Sequence, residues 1–149
     1  MEMIKHFTAT TYVVHEKKVL LHFHKKLHMW LAIGGHIEDN ELPEEAALRE
    51  IAEETGLIAT LYDPDGQIGV SDVEQLIRPM HILLEDIGGT HKHIDLIYYA
   101  RTESDVLNPQ DGETANIKWF TTDDIQNLDA PENVKTLSLA AILLLCPTD

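Results

Sequence analysis

Residues 34–57 read GGHIEDNELPEEAALREIAEETGL, a run that crowds carboxylates around one strong cation, Arg49. Pro43 suits the first helical position, where its missing N–H is not needed. Glu44 and Glu45 then fall in the first turn, where negative charge complements the helix dipole. Gly56 can take the left-handed conformation that ends a helix. These signals predict a helix over 43–55, entered from a glycine turn at Gly34 and Gly35.

Side chains on such a helix advance by ~100° per residue. With Ala46 at zero, Glu53, Glu50 and Glu54 fall at roughly −20°, 40° and 80°, on one face. Ala47, Ile51, Thr55, Leu48 and Ala52 fill an adjoining arc from about 100° to 240°. That apolar arc is expected to pack on a sheet, with the carboxylates at the edge of the contact and Arg49 on their far flank. Like charges at these spacings cost a few tenths of a kcal/mol per pair when solvated, and more when buried. Two readings of the helix remain open at this point. One is a solvated acidic face. The other is a site of hard oxygen ligands, suited to Mg²⁺ or Mn²⁺ rather than zinc.

The rest of the chain narrows the classes. Its 149 residues suit one domain over 1–149, and 44% hydrophobic content suits a packed core. A formal net charge of −15 opposes binding to nucleic acid polymers or anionic membranes. Cys146 is the single cysteine, so no internal disulfide forms, which fits a reducing cytoplasm. The N-terminal MEMIKHFTAT has no long apolar run of the secretory kind. Leu137 to Cys146 is too short to span a bilayer and reads as a buried helix.

Strands are expected at His6–His15, Val19–His24, Leu57–Tyr62, His81–Ile87, His93–Arg101 and Asn116–Phe120, with a short apolar piece at Trp30–Ile33. Turns are expected at Glu16–Lys18, at Asp63–Gly66 and at Gly88–Thr90. A short helix capped by Thr121 or Thr122 follows, then a last helix with Pro131 in its first turn. This order implies an α/β fold with a mixed sheet covered by helices.

The pattern is Gly35, five residues, Glu41, seven residues, Arg49-Glu50-Ile51, one residue, Glu53-Glu54, one residue, Gly56-Leu57. It resembles the complete signature of the Nudix (MutT-like) hydrolases and is far more specific than a lone glycine-rich loop. The resemblance implies an α/β/α sandwich that hydrolyses a nucleoside diphosphate linked to another group, using Mg²⁺ or Mn²⁺. By position it implies metal ligation and catalysis by Glu50, Glu53 and Glu54, with the carbonyl of Gly34. It assigns Glu41 and Arg49 to a buried bracing pair, and Gly35 and Gly56 to the turns. A further acid is expected from a late loop: Glu113 is favoured, over Glu103, Asp105 and Asp111. Glu53 or Glu113 is the candidate general base. One departure stands out, Ile33 where the family usually has proline.

Candidate substrates are normal or oxidised nucleoside triphosphates, ADP-ribose and dinucleoside polyphosphates. Pro64 and Pro79 do not fit the proline of ADP-ribose cleavers, and no mark of coenzyme A or NADH cleavers is evident. Small members without added motifs favour nucleoside triphosphates or a broad range. A homodimer is compatible with the resemblance. The alternative from another class is a nucleotide-sensing regulatory module of the same fold, a type that typically loses the glutamates kept here.

The nine histidines raise a further question. His22 with His24, and His91 with His93, each share one side of a strand, but each pair lacks a second set of metal ligands. His28 and His36 flank the glycine loop within reach of a phosphate. Trp30, Phe23, Tyr62, Tyr98 and Tyr99 read first as core and second as stacking surfaces for a base. Arg78 and Arg101 fit surface pairing or phosphate binding.

Overall fold

The spine of the molecule is a parallel pair. Strand β1 (Ile4–His15) runs beside β7 (His91–Arg101) in unbroken register from Ile4↔His91 to Val14↔Arg101. The β-branched and aromatic run in each strand supports this, because their central residues are covered on both faces. Val13, Val14, Tyr98, Tyr99 and Ala100 are all buried. The computed structural model describes residues 2–110 and 116–147.

The other edge of β1 is shared. After a turn in which Glu16 has φ 55°, β2 (Lys18–His24) pairs with β1 only from Val13↔Leu20 to His15↔Lys18. Beyond that, β3 (Met29–Leu31) pairs with β2 and β4 (Ile33–His36) pairs with β1. The chain thus changes partner at Ala32, and the short apolar piece over Trp30–Ile33 is divided between β3 and β4. β8 (Ile117–Thr121) pairs with β2, while β5 (Thr60–Leu61) and β6 (His81–Asp86) pair with β7. Every pairing except β1–β7 is antiparallel, so the eight-stranded sheet is mixed.

Helices cover both faces. α1 (Pro43–Thr55) buries Ala46, Ala47 and Ile51 against Ala9, Val13, Leu20, Ile33, Tyr98 and Ala100. Burial of Ile51 alone contributes about 2–3 kcal/mol. α3 (Glu132–Leu145) buries Val134, Leu137, Ala141, Ile142 and Leu145 against Tyr12, Val14, Leu21, Ile97 and Tyr99. Between β8 and α3 lies α2 (Thr122–Gln126), capped by the Thr121 hydroxyl, which accepts from the Asp124 N–H. The result is the expected α/β/α sandwich. Among the described residues no helix is long and apolar enough to cross a membrane.

Several boundaries differ from expectation for local reasons. The strand expected over Leu57–Tyr62 shrinks to Thr60–Leu61, which pairs with Arg101 and Ala100, and the Tyr62 N–H extends the contact to the Tyr99 carbonyl at 2.7 Å. Pro131 caps α3 with extended ψ rather than sitting in its first turn. Ile33, the departure from the usual proline, is fully buried in the α1-side core. Tyr98 and Tyr99 are core residues.

Gly56 ends α1 at φ +76°, and a Cβ there would strike the Asn108 carbonyl oxygen. A Gly56→Ala variant is expected to lose at least about 1 kcal/mol of stability, since the left-handed conformation alone costs about that for a residue with a Cβ. A urea midpoint equal to that of the parent chain would contradict the conformational requirement.

Candidate active site

The helix at this site is rolled away from the orientation its apolar residues favour. Leu48 is 40% exposed and Ala52 faces solvent, while Glu54 is only 9% exposed. The buried arc runs from Ala46 through Glu54, Ala47 and Ile51 to Thr55. Its centre is displaced by about 80° toward the acidic face from the arc the sequence predicts. The carboxylates of Glu50 and Glu54 therefore lie inside the helix–sheet contact and not at its edge. Burying carboxylates costs free energy unless charge or hydrogen bonds compensate, so the roll is not explained by hydrophobic packing.

Arg49 supplies part of the compensation, and it wraps onto the acidic face from its flank. Its Nε and Nη2 donate to Glu41 at 2.7 and 3.0 Å, a bidentate clamp. Its Nη1 donates to Glu50 at 2.9 Å and reaches Glu53 at 3.3 Å. Nη2 also donates to the His36 carbonyl at 3.1 Å. One guanidinium thus ties the end of β4, the connecting loop and α1 together. The hydrogen bonds from Arg49 hold the Glu41 carboxyl below its ordinary range, with Arg49 raised in turn. Glu41 also accepts from the Glu38 N–H, and Glu45 accepts from the Leu42 N–H where α1 begins.

Gly35 makes room for the cluster. A Cβ on it would stand 2.5 Å from Glu50 Oε1, closer than any side chain allows. Gly34 is equally confined, against Ala9 and Thr10 of β1. The two glycines face opposite sides of the sheet, so Gly35 looks toward α1.

At the other end of α1, the loop after β7, from which a further acid is expected, closes on the helix. The Asn108 N–H donates to the Thr55 carbonyl at 2.8 Å, and the Gln110 N–H to the Glu53 carbonyl at 3.0 Å. Glu113 and the alternative Asp111 lie outside the described residues. Glu103 and Asp105 are exposed in the loop after β7.

The donor chemistry of Glu50, Glu53 and Glu54 is all oxygen and fits a hard divalent cation. Their four-carboxylate neighbourhood, with Glu41, carries more negative charge than Arg49 offsets. Among the described residues no three potential ligands already converge on one point. Nη1 of Arg49 instead holds Glu50 and Glu53.

A second polar surface was not legible in the sequence. On the face opposite α1, the register places His6 beside His93 and Thr8 beside Asp95, with His36 beside Thr8. Asp95 is buried and accepts from the hydroxyls of Thr8 and Thr10 at 2.8–2.9 Å. Glu85, across from His93, is raised by burial and by Asp95. The Nε2 atoms of His36 and His93 are 3.3 Å apart. Burial first, then His36, lowers the pKa of His93. The alternation of His91, His93 and Asp95 was the available signal, but their partners come from β1 and β4, far away in sequence.

The remaining candidates have ordinary roles. His22 is pushed down to about 4 by burial. His28 sits in the β2–β3 turn at φ 51°, edge-on to Phe23. Arg78 is paired with Asp65, and Arg101 donates to the Leu145 carbonyl.

Known proteins resemble this chain in sequence and in fold. A family profile described as NUDIX domain matches residues 5–140. A solved hydrolase of the NUDIX family from Clostridium perfringens is 41% identical, with 96% of this chain and 99% of that one covered, at a TM-score of 0.86. The NUDIX domain of Shewanella oneidensis NrtR, solved with ADP ribose, shares the fold at 17% identity, a TM-score of 0.69 and coverage of 95% and 89%. A Bacillus subtilis (strain 168) protein, provisionally named an 8-oxo-dGTP diphosphatase, is 30% identical over 105 residues. That match covers 70% of this chain and only 58% of the relative's length.

The Glu41–Arg49 clamp has a pH signature. A carboxyl held below its ordinary value of 4.5 contributes stability that is fully present above that value and fades as pH falls through the folded-state value. Glu41→Gln is expected to cost about 1 kcal/mol at neutral pH, with the gap to the parent closing in acid. Urea midpoints at pH 7 and in acid read this out. A gap that is unchanged in acid would refute the clamp's contribution.

Proposed function

The chain belongs to the NUDIX hydrolase family, and from that premise we propose that it is a metal-dependent pyrophosphohydrolase of a nucleoside diphosphate linked to a second group. The observation that carries the proposal is the rolled helix, which buries Glu54 and shelters Glu50 while leaving Leu48 in solvent. Grouped carboxylates sheltered in this way, on the helix that carries the complete signature, present hard oxygen donors and so support a divalent cation site.

In this reading Glu50, Glu53 and Glu54, with the Gly34 carbonyl, hold Mg²⁺ or Mn²⁺. Such a cation, when bound, lowers the pKa of water and offsets charge on the pyrophosphate oxygens. Glu50 and Glu53, which Arg49 Nη1 contacts at 2.9 and 3.3 Å, would be the carboxylates offered to such a cation, while Glu41 holds the guanidinium through Nε and Nη2. Glu53 accepts the proton of the attacking water, with Glu113 as the other candidate base. The water oxygen bonds to phosphorus, the anhydride P–O bond breaks, and both products leave as phosphate-terminated species. Gly35 and Gly56 keep β4 and the 104–110 loop close enough to α1 for this geometry.

Nucleoside triphosphates, normal or oxidised, stand first among substrates, supported by the name of the Bacillus relative and by the absence of added substrate motifs. We infer that residues 1–149 form one domain, and the single cysteine fits a reducing cytoplasm. A sensor without turnover is disfavoured because all the signature glutamates are kept.

A hydrolysis screen with Mg²⁺ and then Mn²⁺ tests this over nucleoside triphosphates, oxidised nucleotides, ADP-ribose and dinucleoside polyphosphates. Glu53→Gln and Glu54→Gln are each expected to lose at least about 100-fold in turnover with unchanged circular dichroism. Near-parental rates in both variants would remove the assignment. Nucleotide binding without any cleavage by the parent chain would favour the sensor.

A further inference from the structure

Four histidines from three strands meet at one end of the sheet. His6 lies near the start of β1, His36 at the end of β4, and His91 and His93 at the start of β7. The ring of His36 is 5.1 Å, centroid to centroid, from both His6 and His93. His6 in turn stacks on His91 at 6.2 Å. The closest approach is between the Nε2 atoms of His36 and His93, at 3.3 Å.

That distance is informative. Two Zn–N bonds of about 2.0–2.1 Å at a tetrahedral angle place their nitrogens roughly 3.3–3.4 Å apart. Both rings present the same nitrogen, and both strands are fixed by backbone pairing to β1. We propose that His36 and His93 form a chelating site for a borderline transition cation such as Zn²⁺, Ni²⁺ or Co²⁺, separate in chemistry from the carboxylates of α1.

Imidazole nitrogens select these ions over Mg²⁺, as the oxygen donors of α1 select the reverse. The pair supplies two ligands. No third His, Cys, Asp or Glu among the described residues converges with them as they stand. Water would take the open positions, with the exposed His6 ring nearby, 5.1 Å from His36 centroid to centroid. The buried Asp95 lies two residues along β7 from His93 and adds negative potential behind the site.

The site would bridge β4 to β7 across β1. It also touches the acidic helix through one bond, because the His36 carbonyl accepts from Arg49 Nη2. Occupancy therefore stiffens the strand end from which the loop to α1 departs, and links transition-metal supply to the Arg49 clamp.

The test is Zn²⁺ binding by equilibrium dialysis to the chelator-treated full chain. Glu53→Gln and saturating Mg²⁺ suppress binding at α1. The expected result is one Zn²⁺ equivalent, weakened at least about tenfold when His36→Gln or His93→Gln is added, since loss of a supporting residue alone costs that much at metal sites. His22→Gln, on another strand, is expected to leave it unchanged. Zn²⁺-induced shifts of the His36 and His93 ring nitrogens in ¹⁵N spectra give a readout that needs no variant. Absence of a bound equivalent, or equal binding by both histidine variants, would overturn the site and establish the 3.3 Å contact as a plain imidazole hydrogen bond. Neither outcome depends on hydrolysis.

Discussion

Burying glutamate requires an opposing charge, and Arg49 meets Glu41, Glu50 and Glu53 at 2.7, 2.9 and 3.3 Å. The planar guanidinium is suited to this, because its donors point in several fixed directions at once. Two of them lock onto Glu41 in the connecting loop, one serves the helix carboxylates, and the His36 carbonyl takes a further contact. Lysine could neutralise the same charge but could not hold the loop, the strand and the helix in one geometry. Arg49 thereby anchors the acidic side of α1 to the loop and to the end of β4, the side on which Glu50 is sheltered while Leu48 stays exposed.

The sheet does the complementary work. β1 and β7 run parallel and their central residues are buried on both faces, which makes them the reference to which the other elements attach. β4 leans on β1 and brings Gly34 and Gly35 to the start of the loop. The 104–110 segment returns from β7 and donates to the last carbonyls of α1, where orphan acceptors would otherwise remain. Both ends of the acidic helix are thereby anchored to the same pair of strands.

Much of this was legible in residues 34–57. Pro43 and Gly56 marked the helix ends correctly, and the Glu41–Arg49 pair was expected by resemblance and is present at hydrogen-bond distance. The rotation of the helix was not legible, because an apolar arc of Leu48 and Ala52 outweighs glutamates on any hydrophobicity argument. Only tertiary charge pairing reverses that preference. The switch of partner at Ala32 was hidden for a different reason: a strand that changes neighbours keeps the same local pattern. The histidine and Asp95 surface was hidden by distance, since its members share a face only through the β1–β7 register.

Cation ligation by the carboxylates of α1 is tested more directly by binding than by turnover. The measurement is the free Mn²⁺ signal in electron paramagnetic resonance during titration of the parent chain and of Glu54→Gln. The parent is expected to deplete free Mn²⁺ and the variant to do so far less. Equal depletion by both proteins would place the cation elsewhere and contradict the role given to the buried helix face.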